Sequence, residues 1–327
     1  MPDSTDARRN DTTVVRNAST STMGDTLDVG HDGSMIVHLI DGTYELFRQH
    51  FGRPGHINAA GNEVGAVRAV LRGMLSLLEE GATHVGVATD HVVESFRNEL
   101  YAGYKTGEGM DPVILAQFGP LEDGLRALGC VTFAMVEYEA DDALAAAAAV
   151  AAADPRVDKV LICTPDKDLA QCVTAGRVLQ FDRRQQKIFD VQDVVEKFGV
   201  LPESIPDWLA LVGDAADGFP GLPGWGAKSA AAVLARYVHL EQIPRAPGQW
   251  DITVRGGAKL ARTLIDHFED ALLFRTLATL ALDAPTVDNV DELRWTGPTA
   301  DLAAVAKVLD APDLVTRAKS LEAARAS

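Results

Sequence analysis

The sequence contains few cysteines and no long apolar run. Its 327 residues include three cysteines, Cys130, Cys163 and Cys172, which lack the CxxC spacing of a zinc site. This odd and sparse count is typical of a reducing compartment, so we expect a cytoplasmic protein. No run of about 18 apolar residues occurs, which excludes a transmembrane helix, and we expect no membrane partner.

The first 34 residues also lack the apolar segment of a signal peptide. They are rich in Asp, Ser, Thr, Gly and Asn. A segment of this composition buries too little apolar surface to offset the entropy lost on folding. We therefore predict a disordered tail over residues 1–34.

Positive charge is scarce, with 30 Lys and Arg against 47 Asp and Glu, which gives a net charge of −17. Binding to nucleic-acid phosphates needs Lys and Arg, so the total alone argues against a nucleic-acid partner. Much of the negative excess, however, is concentrated in the tail and in the carboxylate groups described below. The local distribution of charge therefore matters more than the total.

Apolar runs and helical patterns alternate between residues 35 and 200. The runs at 35–40, 84–89, 131–136 and 159–164 predict buried strands, and the segments 63–80, 112–128 and 139–153 predict helices between them. This order is typical of an α/β fold with a doubly wound, mostly parallel sheet. Residues 177–190 predict a hairpin.

Strand signals stop near residue 200. Helical patterns follow at 203–213, 226–237, 257–280, 299–309 and 312–325, with a loop rich in Pro and Gly at 242–256. We predict an α/β domain over 35–200 and an all-α domain over 201–327.

Nine carboxylates lie where the predicted strands end or the following helices begin. The carboxyl ends of neighbouring parallel strands meet at one edge of a sheet, so these acids are expected to converge there. Clustered like charges persist in a cleft only with bound cations or raised pKa values. An all-oxygen ligand set of this size suits Mg²⁺ or Mn²⁺. The nine residues are Asp41, Asp90, Glu139, Asp141, Asp142, Asp166, Asp168, Asp214 and Asp217.

Each group of acids also has an ordinary structural explanation. Asp41 could cap a helix, the acids at 139–142 and 166–168 could stabilise helix N-termini, and those at 214–217 could form a turn. The phosphatase motif DxDGT is excluded, because position 39 is Leu rather than the nucleophilic Asp. Five such groups in this order favour a metal site.

A glycine-rich segment follows the last pair of acids, at 221–230. Gly224 and Gly226 would allow a tight turn close to a phosphate, and Lys228 would add charge beside the helix N-terminus. This form is typical of a helix-hairpin-helix turn, which grips the nucleic-acid backbone without reading bases. The alternative is a plain glycine loop before a packed helix.

A second polar segment, 95–105, follows the Asp90 strand. Arg97 and Lys105 are cations that could stabilise charge on a phosphoryl group, and Tyr101 and Tyr104 could stack on a base. The alternative is a surface helix with routine charges and packed aromatic rings.

The order of these motifs resembles the 5′-nuclease family, which comprises the flap endonucleases and the 5′→3′ exonuclease domain of bacterial DNA polymerase I. The matching stretches are 40–48, which includes Arg48, then 90–105, 138–142, 164–169 and 213–228. The resemblance implies a PIN-like α/β domain followed by a helix-three-turn-helix domain, with the hairpin near 221–237. It also implies a stand-alone, divalent-metal-dependent nuclease that cuts DNA at 5′ ends, flaps or junctions by a two-metal mechanism.

The resemblance also implies a role for each site residue. Asp41, Asp90, Glu139 and Asp141 would hold the first metal, and Asp166, Asp168, Asp214 and Asp217 the second, with Asp142 bridging or behind them. Arg97 and Lys105 would contact the scissile phosphate beneath a helical arch formed by 97–128. The residues implied to contact DNA are Arg48, Tyr101, Tyr104, Gly224, Gly226 and Lys228. A K⁺ ion at the helix-hairpin-helix turn is also implied.

Two departures from the family pattern concern positive charge. Thr106, Gly107 and Glu108 follow Lys105 where the family commonly has an Arg, and the helix after the hairpin is poor in Lys and Arg. A DNA-junction-binding paralogue with weak or no catalysis therefore stays an alternative, as does an RNase of the PIN class. We expect a monomer.

Overall fold

The computed structural model describes residues 34–326, so the predicted tail lies outside the described residues except for Ser34. Its centre is a six-stranded sheet with the order β3-β2-β1-β4-β5-β6. The first four pairings are parallel and the β5–β6 pairing is antiparallel, which confirms the predicted, mostly parallel α/β sheet. The strands are β1 (Met35–Asp41), β2 (His84–Asp90), β3 (Val131–Met135), β4 (Val157–Cys163), β5 (Val178–Asp182) and β6 (Lys187–Phe189).

The central strand β1 is buried on both faces. Val37 and Leu39 face one apolar cluster and Ile40 faces the other, and all three are inaccessible to solvent. Such burial is typical of parallel strands covered by helices on both sides. Ile40 pairs with Val87 of β2 and Cys163 of β4, so the three strands end at the same edge.

Helices cover both faces of the sheet. α1, α2 and α4 pack on one face and α5 on the other. Helix α1 was expected only as a helix that Asp41 could cap, without bounds, and Asp41 is its N-cap. The segment 97–128 contains α3, α4 and a non-helical connection over 101–111. The helices of this half are α1 (Gly42–Gly52), α2 (Gly65–Glu79), α3 (Arg97–Leu100), α4 (Pro112–Ala127), α5 (Ala140–Ala153) and α6 (Val191–Phe198).

Helices account for the regular structure after residue 200. The predicted segment 257–280 consists of two helices, because the helical backbone is interrupted at His267. Leu209, Val233 and Phe274, from three of these helices, share one apolar cluster. The helices are α7 (Ile205–Val212), α8 (Ala227–Tyr237), α9 (Gly257–Asp266), α10 (Phe268–Ala278), α11 (Leu302–Val308) and α12 (Asp313–Ala326).

The last segment of the chain returns to the α/β half. Trp295, Leu302 and Leu314 belong to the same apolar cluster as the helices α2 and α4. The indole of Trp295 donates a hydrogen bond of 2.9 Å to the carbonyl oxygen of Leu128. The division at residue 200 stays a prediction, but residues 295–318 pack with the α/β half. None of the helices within 34–326 is long and apolar enough to cross a membrane.

Candidate metal centre

Asp41 and Asp90 occupy equivalent positions, since each is the last residue of its strand. Asp41 accepts hydrogen bonds from the backbone N–H of Tyr44 at 2.7 Å and from the hydroxyl of Thr164 at 2.9 Å. The hydroxyl of Thr43 accepts a hydrogen bond from the backbone N–H of Asp90 at 2.9 Å. Two threonines therefore fix the backbone and side chains of the strand ends against each other.

The N-terminus of α5 brings a second set of acids to this edge. The backbone N–H of Ala140 donates to Asp90 at 2.8 Å, which joins the helix to the end of β2. Glu139 is the N-cap residue of α5 and is buried. Its carboxylate lies 2.7 Å from the hydroxyl of Ser95 and 2.6 Å from the ammonium of Lys105. Glu139 is therefore strongly held in the absence of a metal.

The third set of acids comes from the loops after β4 and α7. Asp168, Asp214 and Asp217 are all buried, and one carboxylate oxygen of each lies within 4.8 Å of the others. The ammonium of Lys167 is 2.5 Å from Asp214, and that of Lys105 is 3.0 Å from Asp217. Lysines thus supply positive charge beside the acids.

Burial and mutual repulsion perturb the acids of the cluster. Burial, together with the charges of Asp90 and Asp166, raises the pKa of Asp41 to about 7. Burial and repulsion from neighbouring acids, chiefly Asp166, raise the pKa of Asp141 and of Asp168 well above the ordinary value. Such shifts show that the acids lack sufficient compensating charge when no cation is bound.

Glu139 differs from the other acids. Burial acts to raise its pKa, but Lys105 and Arg97 outweigh that effect, so the pKa of Glu139 lies below its ordinary value. Glu139 therefore stays ionised and forms ion pairs with both Lys105 and Arg97.

The residues present fit a divalent metal. The donors are all carboxylate oxygens, the ligand type that Mg²⁺ and Mn²⁺ prefer. The Oδ1 atom of Asp168 is buried and has no hydrogen-bond partner among residues 34–326, and the ammonium of Lys167 lies 3.5 Å from it. A buried carboxylate oxygen without a partner is costly unless a cation compensates it.

Arg97 and Asp142 depart from the roles that the resemblance implies. The guanidinium of Arg97 donates two hydrogen bonds of 2.7 Å to Asp142 and is 1% exposed, while Asp142 is 0% exposed. Arg97 also donates to the carbonyl oxygens of Leu277 and Thr279. Its donors are engaged inside the protein, so the structure does not support a phosphate contact for Arg97. The burial of Asp142 in this pair argues against a bridging position, and the place behind the metal ligands stays a prediction.

The aromatic candidates are also placed differently from one another. Tyr104 is 3% exposed, and its hydroxyl lies 3.3 Å from Glu139, so its ring is not available to stack on a base. Tyr101 is half-buried and packs edge-on against Phe274. The stacking role predicted for Tyr104 is therefore corrected to a packing role.

The hairpin segment has a left-handed turn at Gly224, whereas the backbone of Gly226 is extended. Gly224 has a φ of 84°, a left-handed conformation that favours glycine, and open space lies beside its Cα. Gly226 is the N-cap of α8, and Lys228 in the first turn is exposed. Helix N-termini of this kind bind anions through free backbone N–H groups.

Arg48 lies on α1, where it forms an ion pair with Glu45 one turn earlier. It is thus removed from the carboxylate cluster by two helical turns, or about 10 Å along the axis from Asp41. Lys167 and the two threonines that position the strand ends were not predicted as site residues. A Lys between two strand-end acids was the one signal in the sequence that pointed to Lys167.

Two family models match the chain. The one described as the 5′-3′ exonuclease N-terminal resolvase-like domain matches residues 36–199, and the one described as the 5′-3′ exonuclease C-terminal SAM fold matches 200–301. Together the two matches cover residues 36–301. The chain belongs to the 5′-3′ exonuclease family.

Individual proteins give a consistent result. The chain is 35% identical over 265 residues to DNA polymerase I of Pseudomonas aeruginosa, a match that covers 78% of this chain and 28% of the polymerase. It is 34% identical over 209 residues to the 5′-3′ exonuclease of Aquifex aeolicus, covering 63% of this chain and 71% of that protein. The chain thus spans less than a third of the polymerase.

A solved structure shares the fold. It is the flap endonuclease of bacteriophage T5 in a pseudo-enzyme-product complex with DNA and metal ions, with a TM-score of 0.59 and 20% identity. The match covers 87% of this chain and 99% of that one. At this level of identity, the likeness concerns the fold alone.

Proposed function

We propose that the protein is a divalent-metal-dependent, structure-specific 5′-nuclease that hydrolyses phosphodiesters in DNA as a 5′→3′ exonuclease or flap endonuclease. The observation that carries this proposal is the cluster of buried acids Asp168, Asp214 and Asp217 beside the strand ends of β1, β2 and β4. The phage relative with the same fold binds DNA and metal ions, which supports the substrate class and the cation class.

The proposed ligands form two sets. Asp41, Asp90, Glu139 and Asp141 would hold one Mg²⁺ or Mn²⁺, and Asp166, Asp168, Asp214 and Asp217 would hold or surround the other. Bound in this way, two such ions activate water and stabilise the leaving oxygen of an in-line displacement. No protein nucleophile is needed, and the products would carry 5′-phosphate and 3′-hydroxyl ends.

Lys105 is the cation that we assign to the scissile phosphate. Its ammonium group lies between Glu139 and Asp217, one from each set of acids, and is partly exposed. Burial acts to lower the pKa of Lys105, but the two carboxylates outweigh it and raise the pKa, so Lys105 stays charged. A fixed positive charge at this point favours the extra negative charge of a phosphoryl transition state.

The hairpin at 221–230 is the proposed duplex grip. Exposed Gly224, Gly226 at the start of α8 and exposed Lys228 are arranged to approach a phosphate. Such contacts are independent of the DNA sequence. We propose that K⁺ is a further ion bound at this turn.

We also propose that the protein is a monomer. The three free cysteines are consistent with the reducing cytoplasm that we propose as its location.

A weakly active junction binder is the second candidate. The observation that favours it is the segment between β2 and α4, where Glu94, Glu99 and Glu108 are all exposed. These acids repel a polyanion near the site. A PIN-class RNase is a third possibility, which parallel assays on DNA and RNA flaps distinguish.

The deciding experiment replaces Asp166 and Asp168 by Ala and measures cleavage of a 5′-flap DNA with Mg²⁺ and with Mn²⁺. We expect a loss of at least a hundredfold in cleavage rate with DNA binding retained. The control is Asp123→Ala, an exposed acid on α4. Retained cleavage in the double variant overturns the metal assignment, and tight flap binding by the wild-type chain without turnover in either ion supports the second candidate.

A further inference from the structure

A strongly basic cavity lies at the C-terminal end of α1, the end opposite Asp41. Its volume is about 540 Å³, within the range of small-molecule sites. One wall is the end of α1 with the loop that follows it, and the other wall is one face of α2. The basic residues that line it are Arg48, Arg53, His56, Arg68 and Arg72. A cavity of this composition stands out in a chain with a net charge of −17.

Some of these cations already have partners. Arg72 donates two hydrogen bonds, of 2.8 and 2.7 Å, to Asp313 of α12, and Arg48 pairs with Glu45. His56 lies 3.3 Å from Asp310. These contacts hold the walls of the cavity in place and do not involve Arg53 or Arg68.

Arg53 and Arg68 have no ion-pair partner within the described part of the chain, 34–326. The Nε atoms of Arg68 and Arg48 are buried and also lack hydrogen-bond partners there. Glu63, in the connection between α1 and α2, accepts hydrogen bonds from the backbone N–H groups of His56 and Gly65 through its carboxylate. The cavity therefore offers two arginines that have no ion-pair partner among the described residues.

These features define the class of ligand. Guanidinium groups bind phosphate oxygens through paired N–H donors. A phosphomonoester carries about 1.5 to 2 negative charges near neutral pH, whereas a phosphodiester carries one. Two uncompensated arginines match the monoester.

We propose that this cavity binds the phosphomonoester group of a nucleotide, whether free or at the end of a nucleic-acid strand. Arg68 and Arg53 supply the charge, and their guanidinium groups donate to the phosphate oxygens. The site is separate from the metal centre and does not depend on the proposed nuclease activity. It would retain a phosphorylated end or product about 10 Å along α1 from Asp41.

Calorimetric titration of the full chain in a metal chelator tests the proposal, because chelation removes any contribution from the metal centre. The probes are inorganic phosphate, deoxyadenosine, deoxyadenosine 5′-monophosphate, and a thymidine dinucleotide with and without a 5′-phosphate. We expect binding of the three phosphomonoester or phosphate probes and at least tenfold weaker binding of the unphosphorylated dinucleotide. The stronger of the two nucleotide probes identifies the source, a free nucleotide or a strand end.

Variants locate the binding. Arg68→Met should lower the affinity for deoxyadenosine 5′-monophosphate by about tenfold or more. Arg68→Lys should lower it by less, since a charge remains without the paired donors. Arg53→Met, at an exposed position after α1, gives an independent test if the Arg68 variant does not fold. The control is Arg126→Met, which removes one exposed positive charge from α4. Equal affinity for the two dinucleotides, or unchanged affinity in both the Arg68 and Arg53 variants, overturns the proposal.

Discussion

Arg97 and Asp142 form a doubly hydrogen-bonded ion pair that is sealed from solvent. Asp142 also accepts a hydrogen bond of 2.8 Å from the backbone N–H of Ala281, and Arg97 donates to the carbonyl oxygen of Leu277. The pair therefore joins three segments that are distant in the chain: the start of α3, the N-terminus of α5 and the end of α10. Its neighbours Glu139 and Asp141 are proposed metal ligands, so the pair also fixes the metal centre.

Breaking this pair should unfold or strongly destabilise the protein. We expect Arg97→Met to lower the free energy of unfolding by about 3–5 kcal/mol, because it leaves a buried, uncompensated carboxylate. The double variant Arg97→Met with Asp142→Leu should be less destabilised than the sum of the single changes. Denaturant unfolding of the three variants measures this. A stable Arg97→Met variant that loses only the rate of cleavage would instead indicate a phosphate contact.

Neutralising one acid of the cluster should stabilise the metal-free protein. Asp168→Asn removes a carboxyl group whose ionisation is opposed by burial and by Asp166 and Asp217, so we expect a gain of about 1 kcal/mol in a chelator at a pH where that group is ionised. The same change should diminish the rise in melting temperature on adding Mg²⁺ or Mn²⁺. Thermal melts with and without the ions check both effects, with Asp123→Asn as the control. An unchanged metal-induced shift would exclude Asp168 as a ligand.

Reversing the charge at position 108 should strengthen DNA binding. Glu108 is exposed in the connection between α3 and α4, and Glu108→Arg would replace a repulsive charge by one phosphate contact. We expect tighter flap binding and a salt dependence steeper by about one unit in log K against log salt. Binding isotherms at several salt concentrations test this, with Glu80→Arg at the exposed end of α2 as the control. Equal gains in both variants would show a general effect of charge rather than a contact at the arch.

His38 should make the protein less stable in mild acid. Burial in β1, with a smaller effect of Arg183, lowers the pKa of His38 to about 4 from an ordinary value of 6.5. The stability from the neutral imidazole is complete above pH 6.5 and is lost as the pH falls towards 4, by as much as about 3 kcal/mol.

Comparison with His38→Leu isolates this effect, because the raised pKa of Asp41 acts in the opposite direction in both proteins. We expect the unfolding free energy of wild type to fall relative to the variant between pH 6.5 and pH 4. Parallel curves for the two proteins over this range would contradict the assignment.

The sheet was predictable because its strands are continuous apolar runs. Val37, Leu39 and Ile40 face two helical layers, and such a run has few other interpretations in a chain with helical patterns between its strands. The extent of helix α1 was missed because it begins with Gly42 and Thr43 directly after a strand, and both residue types are weak helix formers.

The site was predictable as a set of acids but not in its individual roles. Asp141 and Asp142 are adjacent on α5, and a turn of about 100° per residue decides which of them faces the cluster and which faces Arg97. The partners that decide the matter, Leu277 and Thr279, lie 180 or more residues from Arg97. No local pattern carries that information.

The return of α11 and α12 to the α/β half has a consequence for how the chain melts. Arg317 of α12 pairs with Glu79 at the end of α2, and Trp295 closes against Leu128. The polypeptide thus leaves the sheet, forms the helical half and returns to complete the apolar cluster that contains α2 and α4. A fragment ending near residue 200 would lack this cover. We therefore expect the two halves to lose structure in one cooperative transition rather than in two separate steps.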